Sequence, residues 1–154
     1  MEAIEALSQC KCGAGDERDR DLVYGSTSNL PEDASAQEII RDAAIYYAFL
    51  KRMPTTLGKN TIANIAKLMK EDASLHLEIV GHCDDDEFNE GKIYDRWKGV
   101  GKKRAVQVKR LLVETEGISA DRITVTGREN SDPASTRDSE IARAQNRRVT
   151  FSVN

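Results

Sequence analysis

The sequence predicts an α/β (α+β) fold, in which a βαβαβ-type mixed sheet of about four strands is covered by helices on one face. Segments with apolar residues at every second position, typical of strands, alternate along the chain with segments whose apolar residues recur every three or four positions, typical of helices. Parallel strands require long crossovers, which helices supply, so this alternation indicates βαβ units. The 154 residues suffice for one self-supporting domain with a tail.

Residues 1–33 differ in composition from the rest of the chain. They are rich in Gly, Ser and Asp, contain few apolar residues and show no sustained period. This composition predicts a linker or a loosely ordered extension. Residues 34–154 are therefore predicted to form the folded domain.

The first half of that domain carries three element signals. Ser35 and Glu38 form a capping-box pattern that predicts the start of a short helix. The aromatic and β-branched run 45–50 predicts the first strand, and the apolar stripe over 57–70 predicts a helix. The alternation of apolar and polar residues from Leu75 predicts a second strand that runs out through Gly81 into an acidic loop, Asp85–Asp95.

The second half repeats the alternation of helix and strand. An inward-facing apolar set ending near Gly117 predicts a second long helix, with Trp97, Gly101 and Arg104 on one of its faces. The remaining predicted elements are a strand at 123–126, a short helix at 140–144 and a last strand at 149–153.

Charge and composition exclude several classes of function. The formal net charge is −3, so the chain has no overall basic field to attract nucleic acid. No stretch reaches the ~20 apolar residues of a membrane helix, and the first residues lack the pattern of a secretory signal. Any attachment to a membrane is thus expected through an anchor or upstream region outside this sequence. Only two histidines are present, and no nucleophile or phosphate-loop motif accompanies them, which predicts that the chain is not an enzyme.

Residues 82–87 contain every common type of metal ligand. Consecutive loop side chains diverge, however, and neither the zinc nor the calcium spacing is matched. We therefore expect a solvated acidic loop, with no metal and no cofactor. Cys10 and Cys12, separated by one residue, are compatible with a small ring, pairing between chains or free thiols.

Three motifs carry a resemblance to a known family. They are Gly81-His-Cys-Asp84 at the end of a strand, Arg104-Ala105 within a helix and Asn146-Arg-Arg-Val149 near the C-terminus. Together they resemble the OmpA-like C-terminal domain, the peptidoglycan-binding module also found in Pal lipoproteins and MotB stators. The resemblance covers roughly residues 44–153.

The resemblance implies a noncatalytic module of the bacterial envelope, on the periplasmic side, that binds the peptidoglycan stem peptide. In that family the aspartate and the arginine at the positions of Asp84 and Arg104 grip the two ends of a zwitterion, the diaminopimelate side chain. A carboxylate suits the ammonium end, and a planar guanidinium receives the carboxylate end with two parallel hydrogen bonds. Arg147 is a candidate to assist with the ligand carboxylate, whereas Arg148 and Asn146 are expected to be structural.

Two departures from the family pattern favour a different function. Trp97 stands where the family usually has Asn, and Gly101 stands where it usually has Ser, so two polar partners are lost. Trp97 is then either part of the core or a wall of the ligand pocket. The alternative function is a degenerate OmpA-like scaffold that contacts other proteins of an envelope assembly, such as a stator or a secretion machine.

Overall fold

The computed structural model describes residues 30–154, so most of the predicted N-terminal extension lies outside the described residues. The helices are α1 (Ala36–Asp42), α2 (Thr56–Glu71), α3 (Asp85–Ile93), α4 (Val100–Glu114) and α5 (Glu140–Asn146). The strands are β1 (Ala44–Tyr46), β2 (Leu77–His82), β3 (Ile123–Glu129) and β4 (Arg148–Val153). Single 3₁₀ turns occupy Asp95–Trp97 and Ala120–Arg122.

The four strands form one mixed sheet in the order β1-β4-β2-β3. Strands β2 and β3 are parallel and are joined by the crossover that contains α4. Strand β4 is antiparallel to both β1 and β2, and Ile79 of β2 lies opposite Phe151 of β4 and Val125 of β3. The predicted mixed α/β fold is confirmed.

The hydrophobic core lies between the sheet and the helices. Alternate residues of β2 and β4 point into it, as the period-2 pattern predicts. Helices α2 and α4 supply the facing side chains, which are Ile62, Ile65, Met69, Ala105, Val108 and Leu112. On the other face of the sheet, the Glu78 carboxylate accepts hydrogen bonds from the hydroxyls of Thr126 and Ser152, at 2.7 and 3.3 Å.

The predicted capping box at the start of α1 is present. The Ser35 hydroxyl accepts from the Glu38 amide at 3.1 Å, and the Glu38 carboxylate accepts from the Ser35 amide at 2.9 Å. These bonds satisfy two backbone donors at the N-terminus of the helix that would otherwise lack partners.

The prediction of a first strand over 45–50 was wrong in its extent, because β1 ends at Tyr46. Beyond that point the chain turns, and Leu50 takes a left-handed backbone conformation with φ 61°. The carbonyls of Ala48 and Lys51 accept hydrogen bonds from the Arg104 guanidinium instead of pairing with another strand. Hydrogen bonding to the buried Arg104 guanidinium therefore takes the place of strand pairing in this run, despite its β propensity.

The prediction of an acidic loop over 85–95 was also wrong. Helix α3 covers Asp85–Ile93, and Asp84 is its N-cap. The Asp84 carboxylate accepts from the Glu87 amide at 2.7 Å, and the Glu87 carboxylate accepts from the Asp84 amide at 3.2 Å. A second capping box thus starts a helix whose acidic first turn also suits the positive end of the helix dipole.

Trp97 does not lie on the same helix as Gly101 and Arg104. It ends the 3₁₀ turn that follows α3, and α4 begins only at Val100. Gly99 separates the two segments with φ 66°, a conformation that glycine adopts without steric cost.

Candidate functional site

The two residues predicted to grip a ligand lie near the C-terminal end of β2. Asp84 follows the strand by two residues, and Arg104 projects from the second turn of α4 toward the same end. Both are enclosed by the protein, with exposed fractions of 1% for Asp84 and 0% for Arg104. Each charge therefore requires a partner within the fold.

The Arg104 guanidinium is fully hydrogen-bonded. It donates to the carbonyls of Lys51, His82 and Ala48 at 2.7, 3.0 and 3.4 Å. It also donates through Nη1 and Nη2 to Oε1 and Oε2 of Glu87, at 2.9 and 2.5 Å. These bonds account for all five N–H donors of an arginine. The guanidinium carbon also lies 4.8 Å from the centre of the Tyr47 ring, which adds a cation–π contact.

Glu87 provides the matching carboxylate. It has no exposed surface, and it forms a two-pronged ion pair with Arg104. Its Oε2 also accepts from the Leu50 amide at 2.6 Å, and its Oε1 accepts from the Asp84 amide at 3.2 Å. The carboxylate therefore accepts hydrogen bonds at both oxygens without any contact with solvent.

Asp84 is paired with Arg147 rather than with Arg104. Arg147 Nη1 donates to Asp84 Oδ2 at 2.9 Å, its Nε donates to the Tyr47 carbonyl at 2.9 Å, and its Nη2 donates to the exposed Glu140 at 2.9 Å. Burial raises the pKa of Asp84 above its ordinary value, and the nearby Glu87 carboxylate adds to this effect, while hydrogen bonds from the Glu87 amide and Arg147 oppose it.

Asp84, Glu87, Arg104 and Arg147 thus form a buried charge cluster of two acids and two bases. Glu87 connects the two pairs, because it binds Arg104 and also accepts from the Asp84 main chain. Sequence reasoning missed Glu87, although its position three residues after Asp84 is the capping-box signal.

Gly101 lies at the closest approach of α4 to the sheet. A Cβ atom at this position would lie 2.9 Å from the Gly81 carbonyl oxygen, and a Cβ at Gly81 would lie 1.7 Å from the Gly101 carbonyl oxygen. The Gly101 amide donates to the Glu129 carboxylate at 2.9 Å. In this structure Gly101 brings the helix carrying Arg104 close to the strand that precedes Asp84.

Trp97 is half-buried and does not belong to the hydrophobic core. The guanidiniums of Arg52 and Arg96 lie 5.6 and 5.3 Å from the centre of its ring. Trp97 lines a cleft of about 300 Å³ that Glu87 also lines, and a second cleft of about 460 Å³ bounded by residues 50–55. It therefore lies beside the buried charge cluster without contacting Arg104 through a shared helix face.

The other residues of the C-terminal motif brace neighbouring segments. The Asn146 side chain accepts from the Ser135 amide at 3.0 Å and donates to the Ser135 carbonyl at 2.8 Å, which fixes the loop before α5. Arg148 donates to the Asp132 carbonyl at 3.1 Å. Both side chains therefore hydrogen-bond to the main chain of the segment between β3 and α5.

His82 lies on the sheet face opposite the core. Its Nε2 forms a hydrogen bond with the Thr150 hydroxyl at 3.1 Å, and its Nδ1 has no partner among the described residues. Burial lowers the pKa of His82 to about 4, and the positive charge of Arg148 contributes to the shift. The ring is therefore neutral at physiological pH.

Within residues 30–154, no helix has the length and apolar character needed to cross a bilayer. In the same part of the chain, no group of three or more His, Cys, Asp or Glu side chains is arranged to hold a metal ion. Cys83 is buried, and this burial raises the pKa of its thiol.

Comparison with known proteins identifies the family to which the chain is similar. The model of the OmpA family matches residues 54–147. Outer membrane porin F of Pseudomonas fluorescens is 29% identical over 121 residues, which are 77% of this chain and 34% of the porin. The chain thus spans about a third of the length of that relative.

Solved structures share the fold of this chain. The peptidoglycan-associated lipoprotein from Burkholderia pseudomallei superposes with a TM-score of 0.64 at 22% identity, covering 72% of this chain and 89% of the lipoprotein. The cell wall anchor of the T6SS from Pseudomonas aeruginosa superposes with a TM-score of 0.58 at 26% identity, covering 71% of this chain and 78% of the anchor. The family match extends over more than half of the sequence and includes both Asp84 and Arg104, and the chain therefore belongs to the OmpA family.

Proposed function

We propose that this chain is a noncatalytic module that holds a bacterial envelope protein to peptidoglycan, on the periplasmic side. The support is its membership of the OmpA family and its similarity to a peptidoglycan-associated lipoprotein and a cell wall anchor. The partner would be the peptidoglycan stem peptide, with any attachment to a membrane supplied by a region outside the described domain.

We further propose that Asp84 and Arg104 receive the two ends of the diaminopimelate side chain. The observation that carries this proposal is the pairing within the buried charge cluster. A guanidinium already lies 2.9 Å from Asp84, and a carboxylate already occupies the fork of Arg104. These positions suit a cation and a carboxylate, which are the two charges of the ligand.

The remaining predicted residues would flank this ligand. Arg147 would release Asp84 and turn to the ligand carboxylate or to Glu140, with which it is already paired. Trp97 would form a wall of the approach, since it lines the cleft that reaches Glu87. Gly101 would contribute by keeping α4 close to β2.

One observation favours the scaffold function as a second candidate. Both proposed ligand-binding side chains are at most 1% exposed and have their charges satisfied within the chain. A domain that keeps this arrangement permanently would use its fold to contact proteins and would not bind the stem peptide.

Co-sedimentation with purified, protein-free sacculi distinguishes these two functions. We expect the wild-type domain to sediment, and we expect Asp84→Asn and Arg104→Lys to bind at least about tenfold more weakly, since disrupting a buried charge pair costs ~2–5 kcal/mol. Arg110→Lys is the matched control, because its ion pair with Glu114 is exposed. Circular dichroism must first establish that each variant is folded.

Absence of sedimentation by the folded wild-type domain would contradict peptidoglycan binding and would favour the scaffold function. Sedimentation that survives both substitutions would instead remove Asp84 and Arg104 from the site.

A further inference from the structure

Helix α3 contributes a single buried side chain to the fold, and that side chain is charged. Of its nine residues, only Glu87 is buried. Helices usually attach through an apolar stripe, which is absent here. The attachment of α3 therefore depends strongly on the Glu87 carboxylate and the groups that receive it.

The groups around this carboxylate form a receptor of backbone and guanidinium donors. Arg104 supplies two N–H groups, and the Leu50 amide supplies another at 2.6 Å. Leu50 presents its amide from a left-handed conformation, φ 61°, which is costly for a residue with a branched side chain. Such strain persists where the surroundings fix the backbone, and here it directs an N–H group at a carboxylate.

The receptor is independent of the chain segment that fills it. Arg104 is oriented by the carbonyls of Lys51 and His82 and by the Tyr47 ring, none of which belongs to α3. Removal of the Glu87 carboxylate would leave the guanidinium in place, buried and unpaired. A buried unpaired charge is costly, so another carboxylate that reached this position would be bound strongly.

The cleft of about 300 Å³ beside Glu87 offers a route to this position. Besides Glu87 it is lined by Trp97 and by two lysines, Lys92 and Lys98. The positive charges of the lysines would attract an anion, although Asp95 and Glu129 also border the cleft. An outward movement of α3 would extend this cleft to Arg104.

We propose that Glu87 is an internal substitute for a ligand carboxylate, so that an external carboxylate binds Arg104 by displacing Glu87. Glu87 then competes with the ligand carboxylate for Arg104 and lowers the affinity of the chain for its ligand. Identification of the external carboxylate with that of the stem peptide rests on the proposed function, whereas the receptor itself does not.

The first experiment uses acetate as the external carboxylate. Glu87→Ala removes the internal carboxylate and leaves space for a small one, so its melting temperature should be ~3–6 °C higher in 100 mM sodium acetate than in sodium chloride of equal ionic strength. The wild-type chain should show no such difference. Asp86→Ala is the matched control, because it removes a neighbouring carboxylate that is exposed and pairs with Arg143.

Glu87→Ala remains informative if it does not fold in chloride. Folding of this variant in acetate alone would support the proposal, and failure to fold in both buffers would overturn it. The second variant, Glu87→Gln, fills the same volume without the charge, so it should gain nothing from acetate. Equal responses to acetate in Glu87→Ala, Glu87→Gln and the control would also overturn the proposal.

A second experiment connects the receptor to the proposed function. Glu87→Ala should bind a diaminopimelate-containing peptide at least about tenfold more tightly than the wild-type chain does, because the internal competitor is absent. Rescue by acetate without binding of any variant to the peptide or to sacculi would leave the receptor intact and refute the proposed function. Sacculus binding without rescue by acetate would refute the role of Glu87 alone.

Discussion

Besides its apolar packing on the sheet, helix α4 forms polar attachments to two glutamates, Glu129 and Glu87, which differ in their access to water. Glu129, at the end of β3, accepts from the main-chain amides of Gly101 and Lys102 at 2.9 Å each, where the helix end is partly exposed. Glu87 accepts from the Arg104 side chain, and neither residue has exposed surface.

The difference lies in what replaces each carboxylate when it is lost. Water can reach the amides at the N-terminus of α4, as it reaches most helix ends. Arg104 has no exposed surface, so another carboxylate restores its ion pair at a lower cost than water does. We therefore expect access to solvent, rather than the identity of the acid, to decide which attachment can serve as a binding site.

The largest effect is expected from breaking the buried ion pair between Glu87 and Arg104. Arg104→Ala leaves the Glu87 carboxylate buried and unpaired, which should lower the free energy of unfolding by ~3–5 kcal/mol. Urea denaturation measures this loss. Arg110→Ala is the control, since its exposed pair with Glu114 contributes at most ~1 kcal/mol.

A double substitution tests whether the uncompensated charge causes the loss. Arg104→Met combined with Glu87→Leu replaces the pair with apolar side chains and should recover much of the stability lost in Arg104→Ala. If the double variant is no more stable than Arg104→Ala, packing rather than charge explains the effect.

The second expected effect concerns His82, at the end of β2 that lies against α4. There Gly81 is in close contact with Gly101, and the His82 carbonyl accepts a hydrogen bond from Arg104. The pKa of His82 falls from 6.5 to about 4 in the folded chain, so between these values the unfolded chain binds more protons. The contribution of His82 to stability should therefore rise with pH across this window, by at most about 3 kcal/mol. Asp84, whose pKa is raised on folding, contributes in the opposite direction.

Two substitutions isolate the contribution of His82. His82→Gln should flatten the rise in unfolding free energy between pH 4 and 6.5, whereas replacement of the exposed His76 by Gln should not. A rise that is unchanged in His82→Gln would assign the pH dependence to other groups.

The sequence predicts the fold well because apolar periodicity reports which faces are buried. The stripe of α2 and the alternation of β2 and β4 all face the core, as their patterns indicate. The positions of Asp84 and Arg104 near the same end of the sheet also follow from the order of strand and helix.

The partners of those two residues could not be predicted from periodicity. Glu87 is charged, so a pattern of apolar residues assigns it to solvent, yet it is fully buried. Its burial depends on donors from the segment around Leu50, 37 residues away in the chain. The glycine at position 101, where the family usually has serine, is likewise explained by the close approach of α4 to Gly81, a distance that the sequence does not reveal.

A smaller effect is expected at the contact of the two glycines. A methyl group at Gly81 would overlap the Gly101 backbone, whereas one at Gly101 would lie 2.9 Å from the Gly81 carbonyl oxygen. Gly101→Ala should therefore cost ~1–3 kcal/mol, and Gly81→Ala should cost more. The reverse order in thermal denaturation would mean that α4 moves away from β2 easily. Gly101→Ser, which restores the usual family residue, is expected to destabilise the chain for the same reason.

The smallest effect is expected from breaking the partly exposed hydrogen bonds between Glu129 and the first turn of α4. Glu129→Ala removes two hydrogen bonds to the first turn of α4 and a negative charge near the positive end of its dipole, but water can take over the Gly101 and Lys102 amides. The loss should be about 1 kcal/mol, the usual cost of removing a helix cap. It should shrink with added salt, because the helix end is exposed to screening. Urea denaturation of Glu129→Ala beside Glu87→Ala, at low and high salt, measures both quantities. A loss at Glu129 equal to that at Glu87 would contradict the view that access to water separates the two attachments.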